Sequence, residues 1–383
     1  MKLFGSNELF EDVIQKDICI GCGACTELCP YFQNYFGKTA RIFPCDRKEG
    51  RCFAYCPKTE VDLDALSVRF HQKNCTGEAL GNYSEILSSK AGKKVSAGVF
   101  QGGGTVSALM AFALENGIID AAVLTDQENG IPAPRLVTDA GEVIRCAGSK
   151  YMAAPTLSAF NRGVKEGFRR MGVVGTPCQM TALAQIRTNP LEMPDFADPV
   201  GVAVGLFCTW ALDTRRFAAF LSGRVEKEKI RTMDVPPPPA EIMIIESETK
   251  RLEIPLSEIR PMIPQTCGIC PDMTAEWADL SVGAVEGRPG WNTLIIRTER
   301  GKEIVEKACR EGWLITEAMP EEHLENLRRA AANKKRRAIR LAAEKGLVNT
   351  GEEGKRAAIR MPEAVFQKMM EKETACQQSQ NLH

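Results

Sequence analysis

The sequence predicts a mixed α/β (α+β) fold in which a cysteine-rich N-terminal segment of ferredoxin type precedes a layered core and a basic C-terminal helix. Three observations predict it. Seven of the fifteen cysteines lie between Cys19 and Cys56, in a segment otherwise rich in charged and turn-forming residues. From about Lys94 onward, apolar strand-like runs alternate with helical patterns, the mark of a sheet covered by helices. Residues 321–345 are dense in alanine, lysine and arginine.

A chain of 383 residues has the length of two or three domains at ~150 residues each. The composition shifts divide it into 1–93, 94–318 and 319–383. Lysine plus arginine total 49 and so do aspartate plus glutamate, a balance that argues against a nucleic-acid partner. Only three histidines are present, His71, His323 and His383, too few for histidine-built metal sites or histidine triads. The first ten residues carry one lysine and no signal-like apolar run, and no stretch reaches the 18 apolar residues of a membrane span. A cytoplasmic protein without a transmembrane segment is expected. In a reducing compartment, closely spaced cysteines act as metal ligands or redox groups rather than as disulfides.

Taken in order, the first segment has little apolar periodicity, so metal is expected to substitute for a core there. The core opens with a strand-like run at 95–101, a glycine turn, and a helix over 105–116 with Gly117 at its end. Strands follow at 118–125, 173–176 and 200–208, with helices over 156–171, 179–187 and 214–221 between them. The prolines at 236–239 read as an ordered turn or short polyproline stretch, since a strand over 241–246 follows at once. Further strands are expected at 280–285 and 293–297, then a helix over 301–311 before the basic segment. Its four glutamates, Glu321, Glu322, Glu325 and Glu344, mark it as a solvated or partner-facing helix rather than a nucleic-acid arm.

Cys19, Cys22, Cys25 and Cys29, with Pro30 after them, match the C-x2-C-x2-C-x3-C-P run of ferredoxins, in which three thiolates hold one cluster and the fourth serves another. Gly21, Gly23 and Ala24 are small enough for the backbone to wrap a cluster and donate N–H bonds to its sulfurs. Cys52 and Cys56-Pro57 supply the end of a second run whose beginning is irregular: the usual spacing falls on Glu49 and Asp46, with Cys45 one residue away. Cys56 is therefore expected to join Cys19, Cys22 and Cys25 on one 4Fe-4S cluster. Cys29, Cys45 and Cys52 are expected to hold a second, with Cys75 as fourth ligand. A three-iron cluster, or a carboxylate from Asp46 or Glu49, would use the same residues without Cys75.

Four more cysteines fall at element ends: Cys178, Cys208 and the Cys267/Cys270 pair. They form a candidate third 4Fe-4S site, while a C-x-x-C pair alone is equally compatible with zinc or thiol redox chemistry. Cys146, Cys309 and Cys376 are isolated. Gly102, Gly103 and Gly104, followed by Thr105, Val106 and Ser107, stand between a strand and a helix, where close backbone approach and unpaired N–H groups favour a phosphate. The turn is neither a Rossmann fingerprint nor a P-loop. Clusters pass electrons singly, so exchange with a two-electron carrier calls for a flavin, and this turn is its candidate site.

From about Gln101 to Gly312 the chain resembles the beta subunit of coenzyme F420-reducing hydrogenase and its F420-linked dehydrogenase relatives. The resemblance rests on the residues 102–109, on Ala147 to Tyr151, on Gly175 to Gln179 and on Leu206 to Cys208. It continues through Cys267 to Glu276, Ala278 to Gly283 and Gly290 to Thr293. It implies FAD at the glycine turn, one 4Fe-4S cluster on Cys178, Cys208, Cys267 and Cys270, and a deazaflavin substrate near the flavin. Lys150 and Tyr151 become flavin or substrate contacts, and hydride exchange at FAD needs no side-chain acid or base. The hydrogenase subunit lacks residues 1–93, which look like the ferredoxin portions of F420H2-oxidising subunits and F420-dependent sulfite reductases. The implied partner is a hydrogenase, formate dehydrogenase or heterodisulfide-reductase-like subunit. The implied carrier is coenzyme F420, with NAD(P)H or ferredoxin as alternatives and a non-catalytic relay adaptor as the rival reading.

Overall fold

The computed structural model describes residues 2–95, 100–237 and 239–371. Its centre is an eight-stranded mixed sheet. In spatial order the strands are Leu314–Ala318, Glu85–Ala91, Asn292–Ile296, Leu280–Ala284, Val200–Leu206, Met171–Gly175, Ala121–Glu128 and Ile131–Val137. The fourth to seventh, Leu280–Ala284 to Ala121–Glu128, are mutually parallel, with three antiparallel pairings on one side and one on the other. Met171–Gly175 is buried along its whole length, which is why it reads as a continuous apolar run rather than an alternating one.

The helix Thr105–Glu115 crosses this sheet with Ala108, Leu109, Met110, Phe112 and Ala113 all buried, packed with Leu280, Val282, Leu294 and Ile296. The helix expected over 156–171 is shorter. It runs Thr156–Glu166 and ends because Gly167 adopts the left-handed conformation (φ 92°), which frees Met171 to begin a strand. Residues 96–99 of the strand-like run before the glycine turn lie outside the described residues. The strand that delivers the chain to that turn is Glu85–Ala91, which pairs with Asn292–Ile296 and Leu314–Ala318 although sequence grouped it with the N-terminal segment.

A second, three-stranded antiparallel sheet comprises Ile230–Asp234, Ile242–Ser247 and Arg251–Pro255. The proline run before it makes a turn closed by the Ala240 N–H on the Pro237 carbonyl (3.3 Å), Pro238 lying outside the described residues. Among the described residues no helix is long and apolar enough to cross a membrane.

The N-terminal segment contains only short elements, the hairpin Phe32–Tyr35 with Lys38–Arg41 and the helix Leu63–His71 among them. The expectation that metal substitutes for its core is corrected by the structure. Leu9, Val13, Ile18, Phe32 and Phe53 form one apolar cluster with Ile339 and Ala342 of the helix Glu321–Glu344 and with Leu347, Val348, Ile359, Met361 and Met369 beyond it. A small parallel sheet, Val348–Asn349, Ile359–Arg360 and Val61–Asp62, closes the same junction. Periodicity within residues 1–93 could not reveal this core, because half of it comes from the other end of the chain.

Candidate functional site

Cys19, Cys22, Cys25 and Cys56 line one cavity together with Leu9, Val13, Thr39 and Lys58. The loop that carries the first three is held by two left-handed glycines. A Cβ at Gly21 (φ 65°) would lie 1.9 Å from the Gly37 carbonyl oxygen, and one at Gly23 (φ 85°) 2.5 Å from that of Pro155. The Gly21 N–H donates to Cys19 Sγ at 3.4 Å, the kind of N–H···S bond that tunes a cluster. From the core, the Leu157 N–H donates to the Cys22 carbonyl (3.0 Å). Asn161 Nδ2 donates to the carbonyls of Gly23 (3.4 Å), Ala24 (3.1 Å) and Thr26 (2.8 Å). Burial, reinforced by the neighbouring sulfurs, pushes the Cys22 and Cys25 thiols well up, and burial takes Cys56 to about 12.

Cys29, Cys45 and Cys52 form a second group: burial lifts Cys52 to about 11, and Cys29 and Cys45 act on it as the nearest like charges. Cys75 is not among them. Its N–H donates to Asp64 Oδ1 (2.7 Å), its thiol is raised by burial and by Glu276, and it lines a separate cavity with His71, Glu276 and Trp277. Asp46 and Glu49 are exposed.

The third group sits at the carboxyl ends of two central parallel strands, where open α/β sheets place their ligands. Cys178 follows Met171–Gly175 at the first turn of the helix Pro177–Arg187, and Cys208 follows Val200–Leu206. Cys267 lies in the short helix Gln265–Gly268, and the Cys270 N–H donates to the Cys267 carbonyl (3.3 Å). The Ala211 N–H donates to Cys267 Sγ at 3.5 Å, and the Thr176 hydroxyl contacts Cys178 Sγ at 3.3 Å. Burial and the like charges of Cys270 and Cys267 bring Cys178 to about 12, while burial pushes Cys208 and Cys267 up. Cys178 also acts on Cys22, so the first and third groups adjoin. Among the described residues, no three histidine, cysteine, aspartate or glutamate side chains converge to hold a single metal ion. Three sets of buried or half-buried thiols, two of them with N–H donors aimed at sulfur, are a donor set suited to iron–sulfur clusters.

The glycine turn is packed against two sheet residues. Cβ atoms at Gly102 and Gly103 would lie 2.9 and 2.8 Å from the Asn292 side chain, and Gly104 (φ 74°) leads into the helix. The Thr105 N–H donates to Asn292 Oδ1 (3.3 Å) and its hydroxyl contacts that of Ser89 (2.8 Å). This leaves the N–H groups of Val106 and Ser107 without an intrahelical acceptor. Beside Asn292, the Trp291 ring is faced by the Arg288 guanidinium (4.1 Å) and the Lys90 ammonium (4.4 Å). Arg288 pairs with Glu317 through Nη2, while its Nη1 is buried without a hydrogen-bond partner. An unpaired buried donor and two cations beside a close-approach turn fit the phosphates of a dinucleotide such as FAD.

Lys150 and Tyr151 are tied to this turn through Gln101. The Ser149 N–H donates to Gln101 Oε1 (2.9 Å), and Gln101 Nε2 donates to the Met233 carbonyl (2.6 Å) and Asp234 Oδ1 (2.9 Å). Lys150 itself folds back over the turn that follows the helix Ala140–Arg145, donating to the carbonyls of Cys146, Ala147 and Gly148 at 2.8–3.0 Å. Burial lowers its pKa. The Tyr151 hydroxyl accepts from the Val235 N–H (3.1 Å), and burial with Asp234 nearby lifts it to about 12. Sequence reasoning missed Asn161, Lys58 and Lys334, whose hydrogen-bond partners are distant in the chain, and Arg288, whose ion-pair partner Glu317 is likewise remote. The proximity of Lys58 to the Cys56-Pro57 ending was the one local signal available. Cys146 and Cys309 lie apart from the three groups, within the core cluster of the sheet, and Cys376 is outside the described residues.

Two companion family profiles, both described as "Coenzyme F420 hydrogenase/dehydrogenase, beta subunit", match the chain. The one for the N-terminal part of that subunit matches residues 87–161, and the one for its C-terminal part matches residues 168–322. A "4Fe-4S binding domain" profile matches residues 12–32. The coenzyme F420 hydrogenase subunit beta of Methanothermobacter thermautotrophicus is 30% identical over 274 residues, 70% of this chain and 96% of its own. The coenzyme F420-dependent sulfite reductase of Methanocaldococcus jannaschii is 30% identical over 309 residues, 76% of this chain, and this chain spans 46% of that protein's length. Among solved structures, a chain of the F420-reducing NiFe hydrogenase complex from Methanosarcina barkeri superposes with a TM-score of 0.64 at 26% identity. The match covers 70% of this chain and 93% of that one.

Proposed function

The chain belongs to the coenzyme F420 hydrogenase/dehydrogenase beta-subunit family, and from that premise we propose that it is the electron-input or electron-output subunit of a larger oxidoreductase. It exchanges electrons with coenzyme F420 at an FAD site and with a hydrogenase- or dehydrogenase-type partner through its iron–sulfur groups, in the cytoplasm. The observation that supports this most is the hydrogen bond from the Thr266 hydroxyl, next to Cys267, to the carbonyl of Ile18, next to Cys19 (2.7 Å), which joins two cysteine groups from different parts of the chain. When bound, a flavin converts between two-electron and one-electron exchange, and iron–sulfur clusters carry the single electrons.

The chain's own residues do the rest. Gly102, Gly103 and Gly104, fixed by Asn292 and Ser89, keep the backbone open to a phosphate, and Arg288 and Lys90 supply positive charge beside it. Gln101 sets the distance between that turn and Tyr151. Cys178, Cys208, Cys267 and Cys270 hold the core cluster. Cys19, Cys22, Cys25 and Cys56 hold the next, and Cys29, Cys45 and Cys52 a third without Cys75. Hydride exchange at a flavin needs no side-chain acid or base, so the protein's contribution is orientation and exclusion of water.

The test is cofactor release from the purified chain followed by reduction. Iron, sulfide and FAD are counted after acid treatment, and reduced F420 or NADH is added anaerobically while flavin absorbance is followed. Bleaching by reduced F420 is the expected result. Bleaching by NADH alone replaces the carrier, and iron without flavin reduces the chain to a relay.

A further inference from the structure

Among the described residues three lysines are buried: Lys58, Lys334 and Lys335. Lys335 has the partner that a buried ammonium ordinarily requires, the carboxylate of Glu276 at 2.6 Å. Lys334 donates to the carbonyls of Cys208 (2.6 Å) and Asp272 (2.8 Å). Lys58, only 6% exposed, makes one long hydrogen bond, to the Thr266 carbonyl at 3.5 Å, and among the described residues no carboxylate lies within ion-pair reach of it. Burying a cation on such terms is costly unless opposite charge is supplied from elsewhere.

The surroundings show where that charge comes from. Lys58 lines the cavity of Cys19, Cys22, Cys25 and Cys56. Its charge also acts on Cys56 of that group and on Cys178 and Cys267 of the core group, favouring the thiolate at all three. Thr266 completes the junction: it is fully buried, its hydroxyl donates to the carbonyl of Ile18 (2.7 Å), which precedes Cys19, and its own carbonyl receives Lys58. The residues just before Cys19, just after Cys56 and just before Cys267 therefore meet at one ammonium.

We propose that Lys58 is a positive charge shared by these two cysteine groups, and that it holds both of their clusters at higher reduction potentials than they would otherwise have. The inference rests on the reading of those groups as iron–sulfur sites. Four thiolates around an iron–sulfur core carry net negative charge, and each electron added makes the centre more negative. A fixed cation in a medium of low dielectric favours the reduced form of every centre within reach. Lys58 favours the reduced form of both, while the electron added to one repels an electron on the other, so the two centres titrate as an interacting pair. Lys334 faces the core group, where it holds the carbonyls of Cys208 and of Asp272, two residues after Cys270.

The experiment is a potentiometric titration, followed by electron paramagnetic resonance, of the full chain reconstituted anaerobically. Lys58→Met should lower the potentials of both the core cluster and the Cys19/Cys22/Cys25/Cys56 cluster, while Lys58→Arg keeps both close to wild type. A tenfold change in each reduction equilibrium is expected, equivalent to about 59 mV for a one-electron couple. Lys334→Met should lower the core potential only, and the Cys29/Cys45/Cys52 centre should not respond to Lys58. Full iron content with unshifted potentials in Lys58→Met overturns the inference and leaves the proposed function standing, as does a shift confined to one centre. If Lys58→Met loses iron, retention in Lys58→Arg with loss in Lys58→Gln supports the charge. Loss in Lys58→Arg as well makes the role one of packing and overturns it. A wild-type chain that binds no cluster overturns the proposed function and this inference together.

Discussion

In the central sheet, Leu109, Met110 and Phe112 are buried against Leu280, Val282 and Leu294, all within the same α/β unit. Around the first cysteine group, Leu9, Val13 and Phe53 are buried against Ile339, Leu347 and Ile359 from the far end of the chain. The sheet can bury its apolar surface as soon as its strands pair. The N-terminal segment must wait for a closure that spans most of the sequence, and the chain entropy of that closure is repaid only when both ends are in place. The iron–sulfur region therefore depends for its burial on a remote partner, whereas one face of the sheet is covered from within its own unit and only the other face also packs Ala24, Ala54 and Tyr55 of the N-terminal segment.

The strongest way to break this contrast is to remove the remote partner. Deleting residues 347–371 takes Leu347, Val348, Ile359, Met361 and Met369 from the shared cluster. Hydrogen exchange should then show near-complete loss of protection over residues 6–56, with Met171–Gly175 and Val200–Leu206 still protected. Equal loss in both regions would mean that the sheet, too, depends on the tail. A finer cut is Ile339→Ala, expected to cost about 3 kcal/mol in the end cluster alone. Leu109→Ala should cost a similar amount in the sheet, and exchange at the two regions separates them.

Asn161→Ala removes the amide that holds three carbonyls of the Cys22 loop and is expected to cost about 1–3 kcal/mol. Faster release of iron to a chelator is the readout, with no change in urea unfolding of the sheet. A smaller effect concerns His71, which stacks on Trp277 and whose pKa is lowered by burial and by Arg297. The unfolded chain then binds a proton more readily than the folded one. The corresponding stability is full above the ordinary histidine value of 6.5 and is lost as pH falls from there through the lower folded value. His71→Gln should flatten the decline in urea midpoint between roughly pH 7.5 and 5.5, by under about 1 kcal/mol. The smallest effect is Cys75→Ser: iron content should not change, because Cys75 lies with Asp64 and Glu276 and not with Cys29, Cys45 and Cys52.

The parts of the fold that could be read from sequence are those whose partners are local or whose burial is two-sided. Met171–Gly175 and Val200–Leu206 read as apolar runs, and Thr105–Glu115 was marked by the glycines before it. Glu85–Ala91 was missed because Ser88 and Ser89 lie fully buried in a strand whose apolar company comes from its neighbours. Ile131–Val137 was missed because it carries two prolines, which only an edge strand tolerates. Ferredoxin spacing foretold the company of Cys19, Cys22, Cys25 and Cys56. Spacing could not foretell that Cys75 is drawn away by the helix Leu63–His71, where Asp64 binds its N–H. Lys334 gave no sequence signal and Lys58 only its place after Cys56-Pro57, because a lysine's burial is a property of what folds over it.

The grip of Asn161 on the Cys22 loop, with Leu157 bonded to the Cys22 carbonyl, also bears on how fast electrons can move. An iron–sulfur module carried on a tether transfers electrons only when it swings into range, so that solvent drag enters the rate. Here the first cysteine group is bolted to the sheet that bears the core group, and on the proposed electron path the step between them should run at the same speed in buffer and in concentrated glycerol.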